Sequence, residues 1–188
     1  MVMVKVNKSK KQSISEKRKI KAVLSAGRVT SNTSDAFQMH ESGRFGEKVE
    51  GKIQYSLVEA LYLMNKDRLE VLQKKKKIKS EKFIELACEK ESNFMAKYPV
   101  FRDLRDRGYI VKTALKFGAD FRVYNKGVKP GEDHAKWIVF PVYESSVMTW
   151  HDFAAKNRVA HSTKKNLLIA IVDDEGDVTY YECRWIRP

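Results

Sequence analysis

The chain has 188 residues, 43% of them hydrophobic and 32% charged, the balance of a globular protein long enough to bury a core. Its formal net charge of +13 points to a polyanionic partner, because each phosphate neutralised by Lys or Arg releases a condensed counterion. No run approaches the ~20 apolar residues of a membrane helix, and the basic N-terminus lacks the apolar core of a secretory leader. Cys88 and Cys183 stand alone and far apart, which argues against a zinc site or a disulfide framework and for a cytoplasmic protein with two reduced thiols.

Residues 1 to about 22 are rich in lysine and poor in large apolar groups, so a flexible basic arm is expected, either a tether for RNA or an aid to solubility. From Val23 to Lys52, turn residues alternate with short β-capable runs, with Arg28-Val29-Thr30 and Val49 to Tyr55 as candidate strands of a small sheet. Ser56-Leu57-Val58-Glu59 is a capping box opening a helix to about Lys66, with Leu57, Val58, Leu61 and Met64 as its apolar stripe. Leu69 to Leu72 reads as an extended segment. The lysines from 74 to 77, with Lys79, read as a solvated turn, a phosphate contact being the functional alternative.

A second helix is expected from near Ser80, burying Phe83, Ile84, Ala87, Cys88, Phe94 and Met95. Tyr98-Pro99 should interrupt it, and a further helix should run from Pro99 to Arg107, closed by Gly108. The junction between domains falls in this stretch, giving an N-terminal domain over residues 23–85 and a C-terminal one over residues 86–188. From Tyr109 the pattern turns to strands: YIVKT, a turn at Lys116 to Gly118, then ADFRVY. Period two sets Tyr124 opposite Phe121 and Val123, on the face carrying Asp120 and Arg122, and a tyrosine there is available for use rather than packing.

A turn-rich loop, NKGVKPGED, leads to His134 and a strand over Trp137 to Val142. A helix follows from about Trp150 to Thr163, with Phe153, Ala154, Val159 and Ala160 packed inward. LLIAIV, residues 167–172, is apolar throughout, as in a strand buried on both faces. DDEGD then forms a tight acidic hairpin loop before the closing strand.

Tyr124, His134 and Lys165, without a metal-ligand cluster, suit cleavage of RNA by its own 2′-hydroxyl. That reaction needs a base for the 2′-OH, an acid for the departing 5′-oxygen, and positive charge for the phosphorane. Histidine holds and releases a proton near neutrality, and a fixed cation stabilises developing negative oxygens. Tyrosine, with a reference pKa near 10, serves as a base only if a cation such as Lys165 lies close. Each residue also has an ordinary reading: Tyr124 at a sheet edge, His134 in an exposed loop, Lys165 and Lys164 at a helix end. His40, His151 and His161 are rival histidines. DDEGD lacks the length and terminal glutamate of an EF-hand, so no metal site is expected.

RDLRDRGYIVKTALKFGADFRVY, EDHAKW and RVAHSTKKNLLIAIVDDEGDVTYY together resemble the archaeal tRNA-splicing endonuclease family, and SLVEALYLM resembles its N-terminal domain. The similarity covers roughly Leu24 to Pro188. It implies an α+β N-terminal domain followed by an α/β nuclease-like C-terminal domain with a central mixed sheet. It further implies excision of introns from precursor tRNA at a bulge–helix–bulge, with 2′,3′-cyclic phosphate and 5′-hydroxyl ends and no metal or other cofactor. The family's tyrosine, histidine and lysine fall on Tyr124, His134 and Lys165 rather than Lys164, as base, acid and phosphorane stabiliser.

Arg158 matches an arginine that sandwiches a flipped bulge base. Trp185 could add to that sandwich, though a packed terminal strand is its preferred reading. The acidic loop, Asp173, Asp174, Glu175 and Asp177, matches one that inserts into a basic pocket of a neighbouring subunit. A homotetramer is therefore expected, with a heterotetramer as the runner-up. Asn166 departs from the pattern, standing where relatives often continue the basic run. The competing functions are a non-catalytic RNA-binding subunit and a magnesium-dependent DNA nuclease.

Overall fold

The computed structural model describes residues 19–128, 130–131 and 134–186. The first strand, β1 (Ile20–Ser25), begins inside the stretch expected to be a basic arm, and Ile20 and Ala22 are buried. The end of that stretch is therefore part of the fold; residues 1–18 lie outside the described residues. β1 pairs with β2 (Arg28–Ser31), and α1 (Ser34–Gly43) follows, capped by Thr33.

Val49 to Tyr55 is not one strand. β3 (Glu47–Val49) and β4 (Lys52–Tyr55) flank a two-residue turn in which Glu50 and Gly51 have φ of 47° and 72°. Such a turn reverses the chain with the twist of the strands, and a glycine at its second position meets the backbone requirement. The capping box is present in full. Ser56 Oγ accepts from the Glu59 amide at 3.3 Å, and the Glu59 carboxylate accepts from the Ser56 amide at 3.0 Å, opening α2 (Leu57–Asn65). β5 (Leu69–Gln73) and β6 (Lys76–Lys77) complete a six-stranded sheet of order β3-β4-β2-β1-β5-β6, in which β1 and β5 run parallel.

α3 (Ser80–Lys90) buries Phe83 and Ala87, but Cys88 is exposed and Met95 is 47% exposed. The helix breaks at residues 91–93 rather than at Tyr98-Pro99, and α4 (Phe94–Asp106) runs through Pro99. Only one helical bond is lost to that proline, the one to the carbonyl of Met95, and Met95 faces water. α4 closes as expected: Gly108, at φ 88°, lets the Tyr109 amide reach Leu104 O at 3.0 Å and the Gly108 amide reach Arg105 O at 3.0 Å, a Schellman motif.

The C-terminal sheet comprises β7 (Ile110–Thr113), β8 (Phe121–Tyr124), β9 (Trp137–Tyr143), β10 (Asn166–Val172) and β11 (Val178–Cys183), in the order β11-β10-β9-β8-β7. It is mixed: β9 and β10 are parallel, joined over α5 (Trp150–Ser162), and the other neighbours are antiparallel. α4 covers one face, where Phe121, Val123, Val139 and Leu168 join a core continuous with the N-terminal half. Phe45, Tyr62, Phe101 and Phe121 form a chain of ring contacts with centroids 5.7–5.9 Å apart, running from one half into the other.

A buried ion pair reinforces the junction. Lys112 Nζ donates to Gly46 O at 2.5 Å and lies 3.7 Å from the carboxylate of Glu59. Burial lowers the affinity of Lys112 for its proton, opposed chiefly by Glu59.

Candidate active site

β8 runs antiparallel to β9, and β9 parallel to β10, so the end of β8 meets the beginnings of β9 and β10. The ladder makes this residue by residue: Val123, Trp137 and Asn166 share one row. The Lys136 amide donates to Val123 O at 2.9 Å and the Asn166 amide to Lys136 O at 3.0 Å. Beyond that row the ladder ends: Tyr124 closes β8, and Lys165 immediately precedes β10. Tyr124 and Lys165 sit two strands apart, about 10 Å at ~4.8 Å per strand. His134 precedes β9 at the same end of the sheet and is exposed. All three residues singled out in the sequence thus come to one edge.

Tyr124 lies on the side opposite Phe121 and Val123, as its alternation requires, but it is only 5% exposed. The expectation of an open polar face is corrected by that burial, and further along the same side α5 packs over Ile138, Phe140, Leu167 and Ile169 with Ala160. Burial at Tyr124 limits water's access to the phenol, and a strand rather than a loop fixes its direction.

Lys165 is set by the end of α5. Thr163 caps that helix; the Lys164 amide donates to His161 O at 3.0 Å and the Lys165 amide to Ala160 O at 2.9 Å. Lys164 occupies the left-handed position of this Schellman motif at φ 54°, where glycine is usual. That reversal carries the chain from helix into β10 and puts Lys165, not Lys164, directly before that strand, at the end of the sheet where Tyr124 closes β8. Lys165 Nζ donates to Thr163 O at 2.7 Å. Desolvation, and then the charge of Arg122, hold its ammonium below the usual lysine value.

Sequence alone marks Arg122 only as a neighbour of Tyr124. It shares the α5 side of the sheet with Tyr124, is half-buried, and has a buried Nε without a hydrogen-bond partner among the described residues. Strand alternation places it correctly, but nothing in the sequence distinguishes it from a surface arginine.

Beside this edge, a cavity of about 770 Å³ opens between α5 and the chain after β11. Arg158 and Trp185 both line it, with Phe153, Asn157, His161 and Arg184. Trp185 does not belong to a packed terminal strand: β11 stops at Cys183, and Trp185 is 53% exposed, its indole meeting the His161 ring edge-on at 4.5 Å. Glu182 steadies the start of this segment, accepting from Trp137 Nε1 at 2.7 Å, from Arg184 Nε at 2.7 Å and from Asn166 Nδ2 at 3.2 Å. Its carboxyl is held below the usual range, first by the Trp137 bond and then by Arg184, against an opposing desolvation.

The acidic loop lies at the other end of β10. Gly176, at φ 82°, and the bond from the Asp177 amide to Asp173 Oδ1 at 2.8 Å make a tight turn, with Asp174, Glu175 and Asp177 exposed. Among the described residues no three His, Cys, Asp or Glu side chains come together to hold a metal ion. No helix of the described residues is long and apolar enough to cross a membrane.

Comparison with known proteins matches the chain twice. Residues 20–84 fit the family model of the tRNA intron endonuclease N-terminal domain, and residues 94–180 that of the catalytic C-terminal domain. The chain is 44% identical over 165 residues to the tRNA-splicing endonuclease of Thermococcus gammatolerans, covering 87% of this chain and 96% of that one. To that of Methanothermobacter thermautotrophicus it is 43% identical over 156 residues, 83% and 91% of the two chains. To that of Pyrococcus furiosus it is 40% identical over 169 residues, 89% and 97%.

Proposed function

The chain belongs to the tRNA intron endonuclease family, and on that premise we propose that it removes introns from precursor tRNA by cutting both exon–intron junctions at a bulge–helix–bulge. Tyr124, acting as its phenolate, takes the proton of the 2′-hydroxyl, whose oxygen attacks the adjacent phosphorus. Lys165 stands beside the non-bridging oxygens and offsets their charge in the phosphorane. His134 gives a proton to the departing 5′-oxygen. The P–O5′ bond breaks, leaving a 2′,3′-cyclic phosphate and a 5′-hydroxyl, with no metal ion in the reaction.

The observation that carries this reading is that Tyr124 at the end of β8 and Lys165 just before β10 each lie one position beyond the shared row of Val123, Trp137 and Asn166, with His134 entering at the same edge. The cavity beside them supports a second role: Arg158 and Trp185 hold an extruded bulge base between a guanidinium and an indole, both of which stack on any base. The exposed carboxylates of Asp174, Glu175 and Asp177, with Asp173 shaping their turn, suit insertion into a basic pocket of a second copy, in a homotetramer.

The test is incubation with a bulge–helix–bulge RNA in excess EDTA, followed by analysis of the ends. Cleavage to cyclic phosphate and 5′-hydroxyl is expected; EDTA sensitivity or 5′-phosphate ends would overturn the chemistry. If His134→Ala leaves all the cleavage activity of a co-purified complex intact, the chain is an RNA-binding subunit and not the nuclease. Solution mass of the same fraction tests the tetramer.

A further inference from the structure

Three two-residue hairpins in the N-terminal sheet share one backbone and differ in sequence. Ala26-Gly27 joins β1 to β2, Glu50-Gly51 joins β3 to β4, and Lys74-Lys75 joins β5 to β6. In each, both central residues have positive φ: 49° and 75°, 47° and 72°, 48° and 65°. This turn favours Asn-Gly or Asp-Gly because both positions are left-handed. Two of the hairpins place glycine second. The third places lysine at both positions, so that Lys75 carries a side chain in the left-handed region where the other two have glycine.

The neighbouring lysines have a structural reason that these two lack. Lys76 and Lys77 form a short edge strand, where positive charge discourages pairing with another sheet, and Lys77 pairs with Glu70 at 2.9 Å. Lys74 and Lys75 lie beyond that edge, exposed, and among the described residues no carboxylate pairs with Lys74, Lys75 or Lys76. Strain of this kind persists where the residues serve something other than the fold.

We propose that the tip of the β5–β6 hairpin is a second RNA-contacting element, gripping the sugar–phosphate backbone of the precursor tRNA away from the cleaved junctions. The inference rests on precursor tRNA being the substrate. The chemistry fits a phosphate better than a protein surface. Lysines are point charges that hold phosphates without reading sequence, whereas protein interfaces are depleted of lysine at their centres. The tip carries no apolar side chain that a protein interface could bury.

The test is the double substitution K74N/K75G, which installs the sequence the turn prefers and removes both charges. Thermal melting is expected to rise while affinity for RNA falls, a combination that a purely structural role does not give. The probes are a full-length precursor tRNA and a short bulge–helix–bulge RNA, each with 2′-deoxy at the cut sites so that it binds uncut. Affinity for the long RNA should drop about three- to tenfold, and by more than for the short one. The log–log slope of that affinity against salt should become shallower by roughly 0.7–0.9 for each phosphate that the variant no longer neutralises.

K74R/K75R keeps the charge and should bind within twofold of the parent. Unchanged affinity and salt slope for K74N/K75G, or equal losses on both RNAs, would overturn the proposal. So would a change in solution mass with RNA affinity intact, which would assign the tip to a contact between copies. A parent protein that binds neither RNA would sink the proposed function itself.

Discussion

On the α4 side of the C-terminal sheet, Val111, Phe121, Val123, Val139 and Leu168 are buried in a core that continues into the N-terminal half. On the α5 side, Ala160 is the one buried residue of the helix, Trp150 at its start is 85% exposed, and a cavity of about 770 Å³ remains. The two sides use the same strands, so the difference lies in what covers them. α4 carries Phe94, Ala96, Val100, Phe101 and Leu104 into the sheet and fills it. α5 offers Phe153, Ala154 and Val159 only partly, and leaves room beside Arg158 and Trp185. One side supplies rigidity; the other, held still by it, is free to bind.

Substitutions on each side should therefore fail differently. Phe101→Ala, in the filled side and in ring contact with both Tyr62 and Phe121, should cost about 3–5 kcal/mol of stability. It should do so in a single transition monitored by thermal or denaturant melting. Two separate transitions would break the view that the halves share one core.

Lys165→Ala should leave melting nearly unchanged and lower the single-turnover cleavage rate about 10²–10³-fold, the usual cost of removing one preorganised charge donor. The sign of its pH response follows from desolvation and Arg122. The protonated lysine is the active form, it is fully present below its lowered pKa, and it is lost above it. Cleavage should fall on the alkaline side earlier than an ordinary lysine would allow, and Lys165→Arg should move that limb to higher pH.

Smaller effects belong to the cavity. Arg158→Ala and Trp185→Ala should each weaken RNA binding by about 1–3 kcal/mol, read as a rise in Kd for uncut RNA. The double variant should lose less than the sum if both grip the same base. Smallest of all, Lys164→Gly should raise stability by about 1 kcal/mol, visible in the melting curve, by relieving the left-handed backbone at φ 54°.

Features set by local chemistry were legible in the sequence. The capping box at Ser56 and Glu59, the Gly108 stop, the DDEGD turn and the apolar β10 all depend on residues a few positions apart. Alternation put Tyr124 on the correct side of β8 but could not tell that it would be buried, because burial is set by residues far off in sequence. Pro99 misled because a proline's cost depends on whether the carbonyl it orphans can reach water, and the exposure of Met95 is a property of the fold. The end of β11 at Cys183 was equally hidden: Trp185 and Ile186 look like strand residues, and only pairing with β10 shows where the ladder stops. As for the site, spacing alone gave three residues with ordinary alternatives, and resemblance gave their roles. That Tyr124 and Lys165 come to the same end of the sheet needed the register.

The parallel pair β9 and β10, with α5 crossing between them, also has a polarity. In open sheets of this kind ligands usually gather beyond the carboxyl ends of the strands, where crossover helices begin and their free amides welcome anions. Tyr124, His134 and Lys165 gather at the amino ends instead, where α5 finishes. Its last carbonyls form a negative pole there, and Thr163 O already accepts from Lys165 Nζ at 2.7 Å. That pole favours the charged lysine against its burial, but it gives a phosphate nothing. Among the described residues, side chains supply positive potential at this edge, Lys165, Arg122 and Arg158 among them. The pull of this edge on a phosphate can accordingly be probed one side chain at a time.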